Sequence, residues 1–505
     1  MTAKGRWGLV AGVALAGAGF LFTAARTYRL GFPLDDAWIF QTYARHLAQG
    51  HGWVYVAGRP SAGATAPLWV MLQVPGVWLR LTPLWWPWLL GGVALVLLSW
   101  LGSDWWARWA PPESRKWAWA AGLLLAWEWH LVWAAFSGME TLLFALGALA
   151  VLRWVTLLGE GQNPKERWLH QEGLQRRAWF WGALGWFIGG MVWLRPEAML
   201  LGLPVGMGLV IGADFRPARA LRWAVMAGLG FALPVGSYLL FNYWIGGHWW
   251  PNTFYAKQAE YAALLRQPWW WRVAHVTTPL LAGPAVLLLP GWLWGGWQAW
   301  QQRRWTWFAG PAWAIAHIGV YALRLPVGYQ HGRYVLPVLP VGLLWGLWGL
   351  SDALGRWRRG PWRVLGTAWA LGVLGVTLAF LPLGAWAYGR DVAVIESQMV
   401  DTARWVATHT AKEALVAAHD IGALGYFADR PLLDLAGLVS PEVVPWLGDP
   451  QRLAGWVRQQ RPAYLVDFVG DYPLLEQNCR VVFRAEKRFV ALFDRPPMQV
   501  CRFRW

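Results

Sequence analysis

The sequence predicts a multi-pass α-helical membrane protein with about 11 full spans, a short re-entrant or partial helix, and a small C-terminal α/β domain. Three observations carry that expectation. First, 57% of the 505 residues are hydrophobic and only 14% charged, where a soluble chain carries roughly a quarter charged residues. Second, apolar runs of about 20 residues, the length that crosses a ~30 Å hydrocarbon core, recur as far as Trp386. Third, from about Gly389 the composition turns ordinary, with mixed polar and apolar patterning. A transmembrane barrel does not fit, because these runs lack the apolar–polar alternation of barrel strands.

The elements follow in order. Met1–Arg26 has a basic start and a long apolar run, followed by Arg26, Tyr28 and Arg29 in place of a small-residue cleavage site. It reads as the first span and not as a removed signal peptide. A loop over residues 28–65 comes next, containing "FPLDDAW". Ala66–Leu81 is apolar but short and holds Pro75, so it reads as the partial or re-entrant helix. Basic clusters then punctuate the chain. They are Arg108/Arg115/Lys116, Lys165/Arg167/Arg176/Arg177, Arg216/Arg219/Arg222, Arg303/Arg304 and Arg356/Arg358/Arg359/Arg363. With Lys4 and Arg6 they define the cytoplasmic side. The net charge of +17 is therefore topological; arginines in short loops do not make a basic groove, and no nucleic-acid partner is expected. The many Trp residues cluster near span ends, as interfacial indoles do.

By alternation, the loop 28–65 and the returns "FSGME", "LRPE", "HWWPNTFYAKQ" and "RLPVGYQHGRY" all face the opposite, outer side. So does everything past the last span, roughly Gly366–Trp386. The chain divides into a membrane domain, 1–388, and an extracytoplasmic domain, 389–505. In the latter, "DVAVIESQMVDTARWVATH" reads as an amphipathic helix, and "EALVAA", "RPLLDL", "PAYLVDF", "RVVF" and "FVALF" as short buried strands. The only cysteines, Cys479 and Cys501, would pair if this domain meets an oxidising compartment.

Nearly every unusual polar residue lies on that outer side. Asp35 and Asp36 begin "DDAWIFQTYARHLAQG", whose Ala37, Phe40, Tyr43, Ala44 and Leu47 have helical spacing. An amphipathic helix lying in the interface would hold both acids at its N-terminal end, where the dipole favours negative charge. A carboxylate so placed can take the proton of an attacking hydroxyl. With His46 and His51 nearby, the pair could alternatively bind a cation, although no His-x₃-His or Cys pair supports zinc. Lys257, His331, Arg333 and Arg195 are candidate donors to a phosphate, against interfacial snorkelling as the plainer reading. Glu197 pairs locally with Arg195 or contributes to binding; Glu140 reads as a helix-start residue in a capping box with Ser137. Asp420 and Asp434 read as turn caps, with contact to a ligand as the alternative.

Taken together, these motifs resemble the polytopic glycosyltransferases of the GT-C superfamily, particularly the branch with the mycobacterial terminal arabinofuranosyltransferase. That pattern runs approximately D-D-A-x-I, R/T-Y-x-x-N/H-L, G-x-G-x-V-x and T-x-P-L-W. Here it is Asp35–Ile39, Tyr43–Leu47, Gly50–Tyr55 and Thr65–Trp69, followed by "SGMET", "RPE", "PNTFYAK", "GRYVLPVLP" and "DIGALGYFADRPLLDLAGLVSPE". Val56–Ala57 stands where the family has an Asn, and "SAGA" where it has "EG" or "QAY".

The resemblance implies a polyprenyl-phosphate sugar donor, a glycan, lipid or protein hydroxyl as acceptor, and a base in the first outer loop. Asp35 is the favoured base, with Asp36 the other candidate. Tyr43, His46, His51, Glu197, Asn252 and Tyr255 are expected to touch sugar or acceptor. No cofactor is expected beyond the co-substrate, and no metal ligand set is assigned. The setting would be a bacterial plasma membrane with the site facing outward. No Gly-rich phosphate loop or dinucleotide fingerprint offers a nucleotide-sugar site. The competing reading is a polytopic lipid or solute transporter or flippase, which midplane charges on broken, repeat-related helices would favour.

Overall fold

Two pairs of long helices are built by close backbone approach. In the computed structural model, which describes residues 3–160, 178–213, 216–357, 359–490 and 496–505, helix Pro284–Gln301 lies against Leu339–Arg356. A Cβ at Gly291 would collide with the Gly346 carbonyl, and one at Gly349 with the Gly291 carbonyl. Helices Ala178–Val192 and Pro217–Gly246 meet in the same way through Gly185 and Gly230. Small residues at such seams let van der Waals packing replace the hydrophobic drive that lipid does not supply.

Among the described residues, five helices are long and apolar enough to cross a membrane: Gly5–Thr27, Trp85–Trp109, Pro217–Gly246, Leu336–Arg356 and Gly360–His409. Trp269–Leu281 and Pro284–Gln301, bent by 114°, make a sixth if taken as one broken span. Other apolar runs are shorter pieces. The run through Trp127 breaks at Glu128, whose carboxylate accepts from Leu131 N and starts a new helix at Trp129. The sequence therefore shows more span-length apolar runs than span-length helices. The segment with Pro75 forms a 12-residue helix, Pro67–Trp78, about 18 Å long and so too short to cross. Of the basic cluster at 165–177, every residue lies outside the described residues, as does Arg358.

The last span does not stop where the composition changes. Gly360–Val394 continues through a π-helical turn, Ile395–Val400, into Asp401–His409, so one rod runs from the membrane domain into the C-terminal sheet. That sheet has five strands, β3 (Val416–Ala418), β4 (Leu432–Asp434), β5 (Tyr464–Phe468), β6 (Cys479–Arg484) and β7 (Met498–Phe503), in the order β4-β3-β5-β7-β6. The pair β1 (Val54–Val56) and β2 (Arg59–Pro60) forms a separate hairpin in the first loop. β3 runs parallel to β4 and β5, and β7 antiparallel to β5 and β6.

Four of the expected strands are present. The fifth is not "FVALF": Phe489 and Val490 form no strand, Ala491–Phe493 lie outside the described residues, and β7 takes that place. Its polar Gln499 hides it in the sequence; within the fold that side chain is buried between β5 and β6, reaching Asp467 and Arg484. Cys479 and Cys501 form a disulfide between β6 and β7.

Candidate functional site: a cavity beneath the C-terminal domain

Helix Asp36–Ala48 does not float at an interface. Of Gln41, Arg45 and His46, on its expected polar faces, Gln41 and His46 are buried and Arg45 half-buried, because the helix is sandwiched between the membrane helices and the C-terminal domain. That sandwich sends the two neighbouring acids opposite ways. Asp35, 8% exposed, faces the C-terminal domain. Its two carboxylate oxygens accept from Gly422 N (2.6 Å) and Ala423 N (2.8 Å). A Cβ at Gly422 would collide with the Asp35 carbonyl, so only glycine permits this approach. Around it, Arg45 donates to the carbonyls of Tyr426 (2.8 Å) and Gly425 (3.1 Å), Tyr55 Oη donates to Ile421 O (2.5 Å), and Trp38 packs on Tyr426 and Phe427. Asp35 thus belongs to a docking seam and does not line the cavity, which runs against its favoured reading as base.

Asp36 points the other way, into a cavity of about 490 Å³. There Asp36 Oδ2 accepts from Arg333 Nη2 (2.5 Å) and lies 3.6 Å from Lys257 Nζ. Lys257 and Arg333 both donate to Tyr334 Oη, at 2.8 and 3.2 Å. Burial alone would raise the Asp36 pKa, but Lys257 and Arg333 outweigh it and hold the carboxyl well below its ordinary range. For Tyr334 too, burial is opposed and outweighed by Arg333 and Lys257, which lower it. Asp35 is pushed up to about 7 by burial and by Asp420, against the pull of the two amide donors.

Arg333 is aimed by unusual backbone: Gln330, His331 and Gly332 precede it at φ 55°, 58° and 70°. Left-handed non-glycine residues cost of order 1–3 kcal/mol each and collect at functional sites. Arg333 is 4% exposed, and its Nε and Nη1 have no hydrogen-bond partner. Buried donors are nearly always paired, so two open ones on a charged group ask for an anion.

The second polar group in the cavity is acidic. Arg195 Nε stands 3.7 Å from Glu140 Oε1 and 3.8 Å from Glu197 Oε2. Its Nη2 donates to Tyr321 Oη (3.3 Å). Glu140 is not a capping-box residue: Ser137 Oγ accepts from Met139 N, and the Glu140 side chain turns to Arg195. Burial pushes the Glu140 pKa up, with Arg195 opposing. Between these polar groups the walls are apolar, with Ile39, Phe40, Met139, Leu200, Val320 and Leu325 among them.

Of the sequence-predicted site residues, Asp36, Lys257, Arg333, Arg195 and Glu197 meet in this cavity. His331 does not line it. Its Nε2 lies 2.7 Å from Asp391 Oδ2, between Trp129 and Trp133, because the left-handed turn that aims Arg333 inward directs its neighbour elsewhere. Tyr43 supports the first loop through Ser61 and Gly63 N, and His46 Nδ1 lies 3.0 Å from the Val54 carbonyl. His51 is exposed, Asn252 is buried beneath the loop at Ala62, and Tyr255 packs on His248 and Phe254. None of these lines the cavity.

Asp420 sits 3.6 Å from His419, and Asp434 accepts from Ala436, Val439 and Ser440 N as a turn cap does. Sequence reasoning missed Tyr334, Tyr321 and the inward turn of Glu140; Tyr334 directly follows a motif arginine, the one local signal available. Among the described residues, no three His, Cys, Asp or Glu side chains are grouped to hold a metal.

Comparison with known proteins gives two kinds of finding. A family described as "Domain of unknown function (DUF8728)" matches residues 387–500. No curated protein matches the sequence. Solved structures match over nearly the whole chain. ArnT from Cupriavidus metallidurans bound to undecaprenyl phosphate aligns with a TM-score of 0.61 at 17% identity, covering 99% of this chain and 98% of that one. The apo state of that ArnT aligns at 0.57 and 16%, with the same coverage. The oligosaccharyltransferase AglB from Archaeoglobus fulgidus, in complex with an inhibitory peptide and a dolichol-phosphate, aligns at 0.56 and 12%, covering 96% of this chain and 74% of that one. At such identities the likeness is one of fold: this chain shares the fold of those ArnT and AglB structures over nearly its whole length. The motif resemblance to the mycobacterial branch stands on the sequence alone.

Proposed function

We propose that this protein is a membrane glycosyltransferase that moves a sugar from a polyprenyl-phosphate donor to a hydroxyl acceptor on a glycan, lipid or protein. The observation that carries the reading is the buried Arg333, with two open N–H donors beside Lys257 in an apolar-walled cavity. A lipid-linked sugar phosphate offers what that cavity lacks: an anion for the cations and a chain for the walls. The shared fold with an ArnT bound to undecaprenyl phosphate and an AglB bound to a dolichol-phosphate supports it.

Asp36 is the base in this reading. Paired with two cations it holds its proton affinity too low for the task, but a donor phosphate competes for the same N–H groups. As Arg333 and Lys257 turn to phosphate, the Asp36 carboxylate regains basicity where the acceptor arrives. The acceptor oxygen gives its proton to Asp36 and bonds to the anomeric carbon. The bond from that carbon to the phosphate oxygen breaks, and Arg333 and Lys257 stabilise the departing lipid phosphate.

The C-terminal disulfide and the arginine-rich loops at the other span ends support a site on the extracytoplasmic side of a bacterial plasma membrane. The test is transfer by purified protein in nanodiscs supplied with polyprenyl-phosphate sugars and a panel of hydroxyl acceptors. Transfer that disappears in Asp36→Asn is expected. Binding of the lipid with no transfer from any donor would overturn the enzyme in favour of a lipid carrier.

A further inference from the structure

The acidic part of the cavity has no role in the chemistry just described. Glu140 is 3% exposed, and its Oε2 has no hydrogen-bond partner although the residue lines the cavity. Glu197 Oε2 is likewise without a hydrogen bond. Arg195 stands near both carboxylates at ion-pair and not hydrogen-bond distance, 3.7 and 3.8 Å. Two acids facing one guanidinium leave an excess of negative charge and open acceptor oxygens. A buried acceptor without a donor is costly, and the cost is relieved when a ligand hydroxyl supplies one.

Position says which ligand group that is. Arg195, Lys257 and Arg333 all flank the Tyr334 ring, their charged centres 5.8, 5.5 and 4.9 Å from its centroid. The acid pair and the phosphate-seeking cations are therefore neighbours across one aromatic ring. In a glycosyl phosphate the sugar ring is joined to the phosphate through a single oxygen. With the phosphate on Arg333 and Lys257, the ring reaches the side where Glu140 and Glu197 wait.

We infer that Glu140, with Glu197, forms the recognition site for the donor's sugar ring, accepting hydrogen bonds from its hydroxyl groups and excluding anionic sugars. This rests on the cavity being the glycosyltransferase site. It gives a specificity role to a residue whose sequence context reads as an ordinary helix start.

The experiment measures the affinity of nanodisc-embedded protein for two ligands, undecaprenyl phosphate without sugar and the same lipid phosphate carrying a neutral hexose or pentose. Glu140→Gln keeps the shape but replaces an acceptor oxygen with a donor. It should weaken the sugar-bearing lipid about 10–100-fold, the worth of a hydrogen bond to a charged group, and leave bare undecaprenyl phosphate unchanged. Equal loss for both ligands, or loss for neither, overturns the inference. Wild-type protein that binds neither lipid overturns the underlying function instead, so the two failures are distinguishable.

A second measurement needs no variant. Unmodified protein should lose affinity for deoxy-sugar lipids and reject uronic-acid lipids. A deoxy or uronic-acid donor bound as tightly as the parent hydroxylated one also overturns it.

Discussion

Asp35 and Asp36 are adjacent in the chain and belong to different regions of the molecule. One lies in the seam between the first loop and the C-terminal domain, its charge absorbed by two backbone amides. The other lies in the cavity, its charge absorbed by side chains that a ligand can take away. The difference is between a fixed partner and an exchangeable one. Amides that belong to the fold hold a carboxylate permanently, whereas a lysine and a half-satisfied arginine hold it on terms that a phosphate can change. Catalytic potential follows the second kind of partner.

The sharpest way to break that contrast is a pair of isosteric variants. Asp36→Asn should reduce sugar transfer about 10²–10⁴-fold, while Asp35→Asn should lower the melting temperature and spare most of the rate. A folded Asp35→Asn protein with no transfer, beside an active Asp36→Asn, would exchange the two roles. The arginines give a second pair. Arg333→Ala should weaken undecaprenyl phosphate binding about 10–100-fold by removing charged donors, whereas Arg45→Ala, in the seam, should leave that affinity intact.

Gly422→Ala tests the seam alone. Its methyl group collides with Asp35, and overpacking of this kind costs about 1–3 kcal/mol, to be read in thermal unfolding.

The smallest effect is one of sign. The Asp36 pKa is depressed, so its contribution to stability is present above the ordinary carboxylate pKa of about 4 and is lost as pH falls through the folded-state value. The melting difference between wild type and Asp36→Asn should therefore close on acidification. Asp35 is raised to about 7, so its contribution is complete below the ordinary value and fades as pH rises towards neutrality. Melting curves of the two variants across pH should diverge from wild type in opposite directions.

Much of this was legible in the sequence. Apolar runs declared a helical membrane chain but not the length of each helix, and "DDAW", "LRPE", "PNTFYAK" and "QHGRY" named the loops that supply the cavity. What stayed hidden has physical causes. Successive residues at a helix start point about 100° apart, so choosing between Asp35 and Asp36 requires knowing which side the C-terminal domain covers. His331 and Arg333 are two positions apart, but a left-handed turn between them decides which faces inward. Glu140 matched a capping box by spacing, and only the fold brings Arg195 within reach of it. Glu128, one acid inside an apolar run, restarts a helix that hydropathy reads as continuous.

The unbroken helical rod from Gly360 to His409 has a mechanical meaning. At 1.5 Å per residue it is about 75 Å long, more than twice the hydrocarbon thickness. The terminal sheet is therefore carried on a stiff mast and not tethered by a string. Tilting the sheet away from the seam would strain the mast or its π-turn, so the sheet and the last span move as one piece.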